Sequence, residues 1–438
     1  MRRPANFKLS DSHSWSLHRE GMGRSVSFRE SVSQDLSSFG GTVAEMGCKM
    51  ANSPCDGERA EMNSKTENLT NGTPSVEMEF SRMYQEMERS HIKPLWLDEA
   101  RILPRSPEPR AVPWLWKWLQ IYRLASRAGD LVTIERGGDR RALGLSNPGL
   151  NGQPYATPTL WAAIQWLNGH EIEPAHRHSA QAVRFMIKGK AYSTVQGDKI
   201  ELERGDFALN PPMAWHDHGS DNDDPAVWMD GLDIPLNNYL NATFFEEAAK
   251  DRQDITSILD GSVLKYGAGS LRPAWEEPVQ KYSPMSAYKW AATERALTNL
   301  AKVDASPFDD AALEYTNPHT GRSVMDTIAA WIQLLRPGTH TKAHRQVNSS
   351  VYHVFEGRGA TVIGGVRFDW EEGDIFAIPS WAYHEHINGS STERAILFSI
   401  QDTPVMKALG KYREEALSTN NGYQKVTNVF DAGAPGNA

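Results

Sequence analysis

The sequence is poor in the features that mark several common classes of protein. It has only two cysteines in 438 residues, Cys48 and Cys55, both in its polar N-terminal region, so we expect no disulfide framework in the folded part. Its longest apolar stretch, residues 113–124, is interrupted by Lys117 and Arg123, which predicts no membrane span. The formal net charge of −9 argues against nucleic acid as a partner. These absences indicate a soluble protein of a reducing compartment, and we expect the cytoplasm.

The length of the chain and the changes in composition and hydrophobic pattern along it indicate several domains. Residues 1–77 are rich in Ser, Gly, Asn and charged residues without a sustained hydrophobic period, which predicts a disordered extension with no secretory signal. Residues 78–150 carry Met, Trp and Ile at helical spacings around Pro-rich breaks, with Trp114, Trp118 and Ile121 in one predicted helix, which predicts a helical lead-in and the first strands. Beyond residue 130, short β-rich runs alternate with Gly, Asn and Pro. This alternation of short strands and turns is typical of an all-β protein.

The sequence repeats itself at an offset of 168 residues. Residues 175–218 and 343–386 are identical at 13 of 44 positions without a gap. Two barrel-sized copies of one unit follow from this repeat. We predict a first barrel at 151–240, a linker at 241–323 with helices near 241–249 and 288–303, a second barrel at 324–405 and a tail at 406–438.

Three histidines of the first copy have the spacing of a metal site. His176 and His178 are two residues apart in a predicted strand, whose period of 2 points both side chains to one face. His216 follows Gly205 and Pro211, whose turns return the chain to the barrel. Three neutral imidazoles would leave Fe(II) open positions for a chelating substrate and O2. A zinc site or a vestigial structural cluster is the alternative.

Arg184 has the same strand parity as His176 and His178, so we expect its guanidinium inside the barrel beside the metal. A buried guanidinium needs a carboxylate partner, which a bound aromatic acid would supply. A structural ion pair with Asp230 is the alternative, and the two roles are compatible.

The second copy has lost parts of this pattern. Gln346 stands at the position of the second histidine and Tyr352 at that of the arginine. The joint loss predicts a barrel kept for packing. His353 and His386 leave a weak metal site open, with core histidines as the simpler interpretation.

The spacing Gly205, five residues, Pro211, four residues, His216 resembles the second sequence box of cupins. Over about residues 83–404 the chain resembles the gentisate 1,2-dioxygenase family of bicupins, which includes salicylate and 1-hydroxy-2-naphthoate dioxygenases. The segments that carry the match are Pro174-Ala175-His176-Arg177-His178, Val183-Arg184-Phe185, Gly205-Asp206-Phe207, Trp215-His216-Asp217-His218-Gly219 and Trp228-Met229-Asp230-Gly231-Leu232-Asp233.

This resemblance implies a mostly β fold, a bicupin of two double-stranded β-helix (jelly-roll) barrels with flanking helices, and a homo-tetramer. It implies Fe(II) as cofactor, and a small aromatic acid and O2 as substrates. The implied reaction converts gentisate to maleylpyruvate, with salicylate or 1-hydroxy-2-naphthoate as alternative substrates and a non-catalytic ligand-binding bicupin as the alternative of another class. The implied site residues are His176, His178 and His216 for the metal, Arg140, Trp161, Gln165, Arg184 and His218 for the substrate, and His218, Asp230 and Arg184 for catalysis.

Overall fold

The computed structural model describes residues 75–133, 136–138, 141–278 and 281–431. Almost all of the predicted disordered extension, and Arg140, lie outside the described residues. The chain divides into two compact units, residues 1–84 and 85–438. The described part of the first unit is residues 75–84, which belong largely to the first helix. The second unit contains both barrels.

The helices of the described residues are short and lie mainly outside the barrels. Helix α6 (Trp290–Val303) confirms the helix predicted near residues 288–303. Helix α3 (Trp118–Leu131) buries Ile121 and Ala125, four residues apart, as a helix that packs on a sheet requires. The helices are α1 (Val76–Arg89), α2 (Leu95–Ile102), α3 (Trp118–Leu131), α4 (Ile234–Tyr239), α5 (Gly261–Tyr266), α6 (Trp290–Val303) and α7 (Thr403–Ala408).

The strands confirm a protein dominated by β-structure. In chain order they are β1 (Trp114–Trp116), β2 (Ala142–Gly144), β3 (Trp161–Leu167), β4 (Ile172–His178), β5 (Ala182–Lys188), β6 (Lys190–Val195), β7 (Asp198–Glu203), β8 (Phe207–Asn210), β9 (His216–Gly219), β10 (Ala226–Leu232), β11 (Phe245–Glu247), β12 (Ala287–Tyr288), β13 (Ala311–Glu314), β14 (Ala329–Leu335), β15 (His344–Gln346), β16 (Ser350–Glu356), β17 (Arg358–Ile363), β18 (Val366–Glu371), β19 (Ile375–Ile378), β20 (His384–Ile387), β21 (Ala395–Gln401), β22 (Glu414–Ala416) and β23 (Asn428–Val429).

Each barrel consists of two sheets. The first barrel has the orders β12-β8-β5-β10-β3-β2 and β11-β4-β9-β6-β7, and the second has β1-β19-β16-β21-β14-β13 and β22-β15-β20-β17-β18-β23. The pairing β4–β9 in the first barrel recurs as β15–β20 in the second, with His176 opposite His216 and His344 opposite His384. The internal repeat of the sequence is therefore a repeat of structure.

The two barrels share one hydrophobic core, because one sheet of each is buried on both faces. Phe185 of β5 stacks on Phe398 of β21 with ring centroids 4.0 Å apart. Gly231 of β10 leaves room for Ile400, whose Cδ1 would lie 2.5 Å from a Cβ built at that glycine. Odd-numbered residues of β5 thus face the other barrel, and Arg184, of opposite parity, faces the interior of its own.

Segments before each barrel are exchanged between the two. Strand β1 precedes the first barrel in sequence but pairs with β19 of the second, whereas β12 of the linker pairs with β8 of the first. Asp374 accepts a hydrogen bond from the Trp118 amide at 2.8 Å, and Asp206 accepts one from the Trp290 amide at 2.7 Å. Each of these two buried carboxylates thus binds the first backbone amide of a helix, α3 or α6, which would otherwise lack an acceptor.

Two local predictions are wrong. Trp114 lies in a strand rather than in a helix with Trp118, and the helix predicted near residues 241–249 is replaced by β11. Strand β11 pairs with β4, because the edge of that sheet offers unpaired backbone groups that outweigh a weak local preference. Among the described residues, no helix combines the length and the apolar character needed to cross a membrane.

Candidate active site

His176, His178 and His216 meet inside the first barrel. One nitrogen from each ring lies within 4.8 Å of the others, and this is the one cluster of three or more candidate metal ligands among the described residues. The ring centroids are 4.3 Å apart for His176 and His216, 4.8 Å for His178 and His216, and 5.7 Å for His176 and His178. The strand period and the pairing of β4 with β9 bring them together.

Backbone carbonyls fix the orientation of the three rings. Each Nδ1 hydrogen-bonds to a carbonyl two residues away, so each Nε2 keeps its lone pair for the space between the rings. Burial, with the other two imidazoles adding to it, holds the pKa of His216 well below its usual value, so this ring is neutral and able to bind a metal at pH 7. The acceptors are Pro174 for His176 at 2.7 Å, Ala180 for His178 at 2.8 Å and Ala214 for His216 at 2.8 Å.

Arg184 lies inside the barrel, as its predicted orientation requires. It stands opposite Asp230 on the paired strands β5 and β10, and its Nε donates to Asp230 Oδ1 at 2.8 Å. Its guanidinium also covers the Trp228 ring at 4.5 Å. Its Nη1 is buried without a hydrogen-bond partner among the described residues. A buried guanidinium N–H of this kind is a vacant donor for an anionic ligand.

Burial raises the pKa of Asp230 to about 6, although the adjacent Arg184 acts in the opposite direction. The Trp228 indole donates a second hydrogen bond to Asp230, at 3.1 Å. Asp230 therefore has two donors fixed around it and a carboxyl group that titrates closer to neutrality than an exposed aspartate.

Glu173 is a site residue that the sequence patterns missed. Its side chain is 6% exposed, and its carboxylate lies 3.9 Å from His176 Nε2. Its parity along β4 is opposite to that of His176, which predicts an outward orientation. A bulge between the two residues places Glu173 opposite His218 and His176 opposite His216, so both point inward. The proline after Glu173 was the available signal of an irregular strand.

The remaining predicted residues that the structure describes lie around the same interior. His218 is buried, with Nδ1 2.8 Å from Ser193 Oγ, and its burial beside Arg184 holds its pKa well below the usual value. Gln165 is buried on β3, where its amide donates to Glu173 at 2.9 Å, and Trp161 is half-buried on the same strand. Arg141, the neighbour of the undescribed Arg140, forms an ion pair with Glu171.

Comparisons with known proteins agree with this geometry. Residues 164–234 and 331–401 match the family model described as a cupin domain. The chain is similar to a 5-aminosalicylate 1,2-dioxygenase of Comamonas, with 36% identity over 83% of this chain and 97% of the relative. It is also similar to a gentisate 1,2-dioxygenase of Streptomyces, with 39% identity over 76% and 94%.

Among solved structures, the chain is similar to salicylate 1,2-dioxygenase of Pseudoaminobacter salicylatoxidans in its adduct with gentisate. The TM-score is 0.74, with 38% identity over 79% of this chain and 96% of that one. The chain belongs to the gentisate and salicylate 1,2-dioxygenase family. It is therefore a bicupin and a ring-cleaving dioxygenase, an enzyme that incorporates both atoms of O2 into an aromatic substrate.

The second barrel of this dioxygenase keeps part of the first barrel's arrangement. The rings of His344 and His384 are 4.5 Å apart, close to the spacing of His176 and His216. His344 Nδ1 lies 3.0 Å from Glu414 Oε1, and its Nε2 is buried with no hydrogen-bond partner in the part of the chain that the structure describes. Gln346 stands where the first barrel has His178. Among the described residues, no third candidate ligand completes a cluster with His344 and His384.

Proposed function

We propose that the enzyme uses Fe(II) held by His176, His178 and His216, and that its substrate is gentisate, which it converts with O2 to maleylpyruvate. The observation that carries this proposal is the pairing of a three-imidazole cluster with a buried guanidinium that keeps one donor vacant. Salicylate and 1-hydroxy-2-naphthoate remain the alternative substrates, because the pocket residues described above fit the carboxylate that all three acids share.

The donor set fits a divalent transition metal. Imidazole nitrogens suit iron, and three neutral ligands leave the full charge of the ion available to an anionic chelate. When bound, Fe(II) would supply the redox chemistry that activates O2 toward the ring. The carbonyls that hold each Nδ1 are the groups that would keep the three Nε2 atoms aimed at the ion.

Arg184 would bind and orient the substrate carboxylate. Its Nη1 is the vacant donor, while Asp230 and the Trp228 ring hold the rest of the guanidinium in place. A planar guanidinium that is fixed in advance loses little freedom when it binds a planar carboxylate, so its contribution is to positioning.

His218 and Asp230 would manage the protons of the ring hydroxyl groups. Asp230, with its pKa raised to about 6, can hold or release a proton near neutral pH. His218 is neutral, and Ser193 fixes its ring through Nδ1. Gln165 and Trp161 would line the pocket beside them. Arg140 as a substrate contact, a homo-tetramer and a cytoplasmic location also stay predictions from the resemblance.

Oxygen uptake on three substrates tests this proposal. The protein is loaded with Fe(II) under anaerobic conditions, and O2 consumption and ultraviolet product spectra are then followed with gentisate, salicylate and 1-hydroxy-2-naphthoate. The proposal expects the highest kcat/KM with gentisate and a maleylpyruvate spectrum. A higher value with either other acid would replace gentisate as the substrate, and equal activity with zinc in place of iron would remove the metal assignment.

A further inference from the structure

Glu173 places a second carboxylate inside the pocket, nearest to Arg184 Nη2, whereas Asp230 binds Arg184 Nε. One of its oxygens, Oε2, accepts a hydrogen bond from Gln165 Nε2 at 2.9 Å and lies 3.9 Å from Arg184 Nη2. The other, Oε1, lies 3.9 Å from His176 Nε2, the nitrogen that faces the metal position. This carboxylate therefore lies between the proposed iron ligands and the proposed substrate contacts.

We propose that Glu173 determines substrate specificity, and that it selects aromatic acids whose ring carries a further hydrogen-bond donor, a hydroxyl or an amino group, beyond the carboxylate and its ortho hydroxyl. The inference rests on the proposed function, because it concerns the same pocket and the same reaction. It divides the candidate substrates into two classes: gentisate and 5-aminosalicylate carry such a donor, whereas salicylate and 1-hydroxy-2-naphthoate do not.

The argument starts from charge. Arg184 has Asp230 at 2.8 Å from Nε and Glu173 at 3.9 Å from Nη2, so its positive charge is already shared between two carboxylates. A substrate carboxylate that takes the vacant Nη1 adds a third negative group to this cation. A ring that also offers a donor to Glu173 offsets this crowding with a charge-assisted hydrogen bond.

The second step concerns desolvation. An ionised carboxylate accepts hydrogen bonds and donates none. A bound ring displaces water from the pocket, and a carboxylate oxygen that faces a C–H edge of the ring exchanges a hydrogen bond from water for a contact that donates none. A site built to bind a substrate hydroxyl or amine therefore disfavours the analogue that lacks it.

The second barrel shows that the repeat does not require a carboxylate at this position. The residue one repeat later is Thr341, whose hydroxyl accepts from the His386 amide at 2.9 Å. Gln333, which corresponds to Gln165, donates instead to the Asp309 carbonyl at 2.7 Å. The buried carboxylate thus occurs in the barrel that has three clustered histidines, and the other barrel has an uncharged hydroxyl at the same position.

The test compares Glu173→Gln and Glu173→Ala with the unchanged protein on four acids: gentisate, 5-aminosalicylate, salicylate and 1-hydroxy-2-naphthoate. Glu203→Gln, at a largely exposed position of the same barrel, is the matched control. For each protein we measure iron content, kcat/KM by O2 uptake, and the dissociation constant of each acid without O2. The dissociation constants do not depend on turnover.

We expect both Glu173 variants to keep their iron. We expect the ratio of kcat/KM for donor-bearing acids to that for salicylate to fall by about tenfold to a hundredfold, with a parallel change in the dissociation constants. An equal change for all four acids, or loss of iron from Glu173→Gln, would overturn the inference. Failure of the unchanged protein to oxidise any of the acids would instead count against the proposed function, and the dissociation constants would still decide the role of Glu173.

Discussion

Arg184 and Asp230 stand directly opposite each other on strands β5 and β10, joined by a hydrogen bond of 2.8 Å, and one buried N–H group of Arg184 has no acceptor within the described ranges. The sequence offered two interpretations of Arg184, a structural partner of Asp230 or a binder of an aromatic acid. The geometry accommodates both roles at once, since the ion pair with Asp230 uses Nε and leaves Nη1 available to a ligand. This arrangement gives the guanidinium a fixed orientation before any ligand arrives.

Arg184→Lys should lower kcat/KM by about a hundredfold, mainly through a higher KM, while iron content stays unchanged. Lysine keeps the positive charge but loses the planar fork that binds Asp230 and a carboxylate together. Steady-state kinetics with gentisate and metal analysis measure the two effects. Arg367→Lys, in an exposed pair with Asp369, is the control and should behave like the unchanged protein. An unaltered KM in Arg184→Lys would mean that the substrate carboxylate binds elsewhere.

Asp402 links the two barrels, because it accepts hydrogen bonds from the Ser349 amide of the second and the Thr159 hydroxyl of the first. Burial raises its pKa from 3.8 to about 6. The folded protein therefore holds this proton more tightly than the unfolded chain does. The resulting contribution to the free energy of unfolding is complete below about pH 4 and is lost as the pH rises to about 6.

Asp402→Asn removes this titration and keeps the shape of the side chain. The free energy of unfolding of the variant, minus that of the unchanged protein, should therefore rise between pH 4 and pH 6 by at most about 3 kcal/mol and then stay level. The difference between the two Tm values should follow the same trend. Thermal unfolding at a series of pH values measures this difference. The exposed Asp369→Asn should show no such trend. A flat difference for Asp402→Asn would show that this carboxyl ionises equally in the folded and unfolded states.

Gln346→His should give the second barrel a metal site. His344 and His384 already have nearly the ring spacing of the first barrel's pair, and the substitution restores the missing imidazole one repeat after His178. Metal analysis should then find about two ions per chain instead of about one. Gln346→Ala should leave the content unchanged. One ion per chain in both variants would mean that the contact between His344 Nδ1 and Glu414 holds the ring away from a productive orientation.

The sequence predicted the histidine cluster because a single strand period and one repeat of 168 residues determine it. His176 and His178 share a face by parity, and His216 lies opposite His176 through strand pairing that the barrel enforces. The two-barrel fold followed from the same repeat. Arg184 lies on β5, a different strand from the histidines, so its inward orientation depends on the turn between β4 and β5 as well as on parity.

Tertiary pairing explains what the sequence did not predict. Glu173 points inward only because a bulge shifts the register of β4 by one residue. Strand β11 forms because β4 offers it an edge, and β1 pairs with a barrel that begins some two hundred residues later in the chain. Such choices depend on contacts between distant segments, which local propensity and spacing do not encode.

The iron content of His178→Gln tests the central claim most directly. This substitution copies the state of the second barrel into the first, and His170→Gln, at an exposed histidine near the start of the same strand, is its control. After anaerobic loading and gel filtration, we predict about one iron per chain in the unchanged protein and in the control, and almost none in His178→Gln, with loss of O2 uptake. Full iron content and turnover in His178→Gln would contradict the assignment of the metal to this barrel.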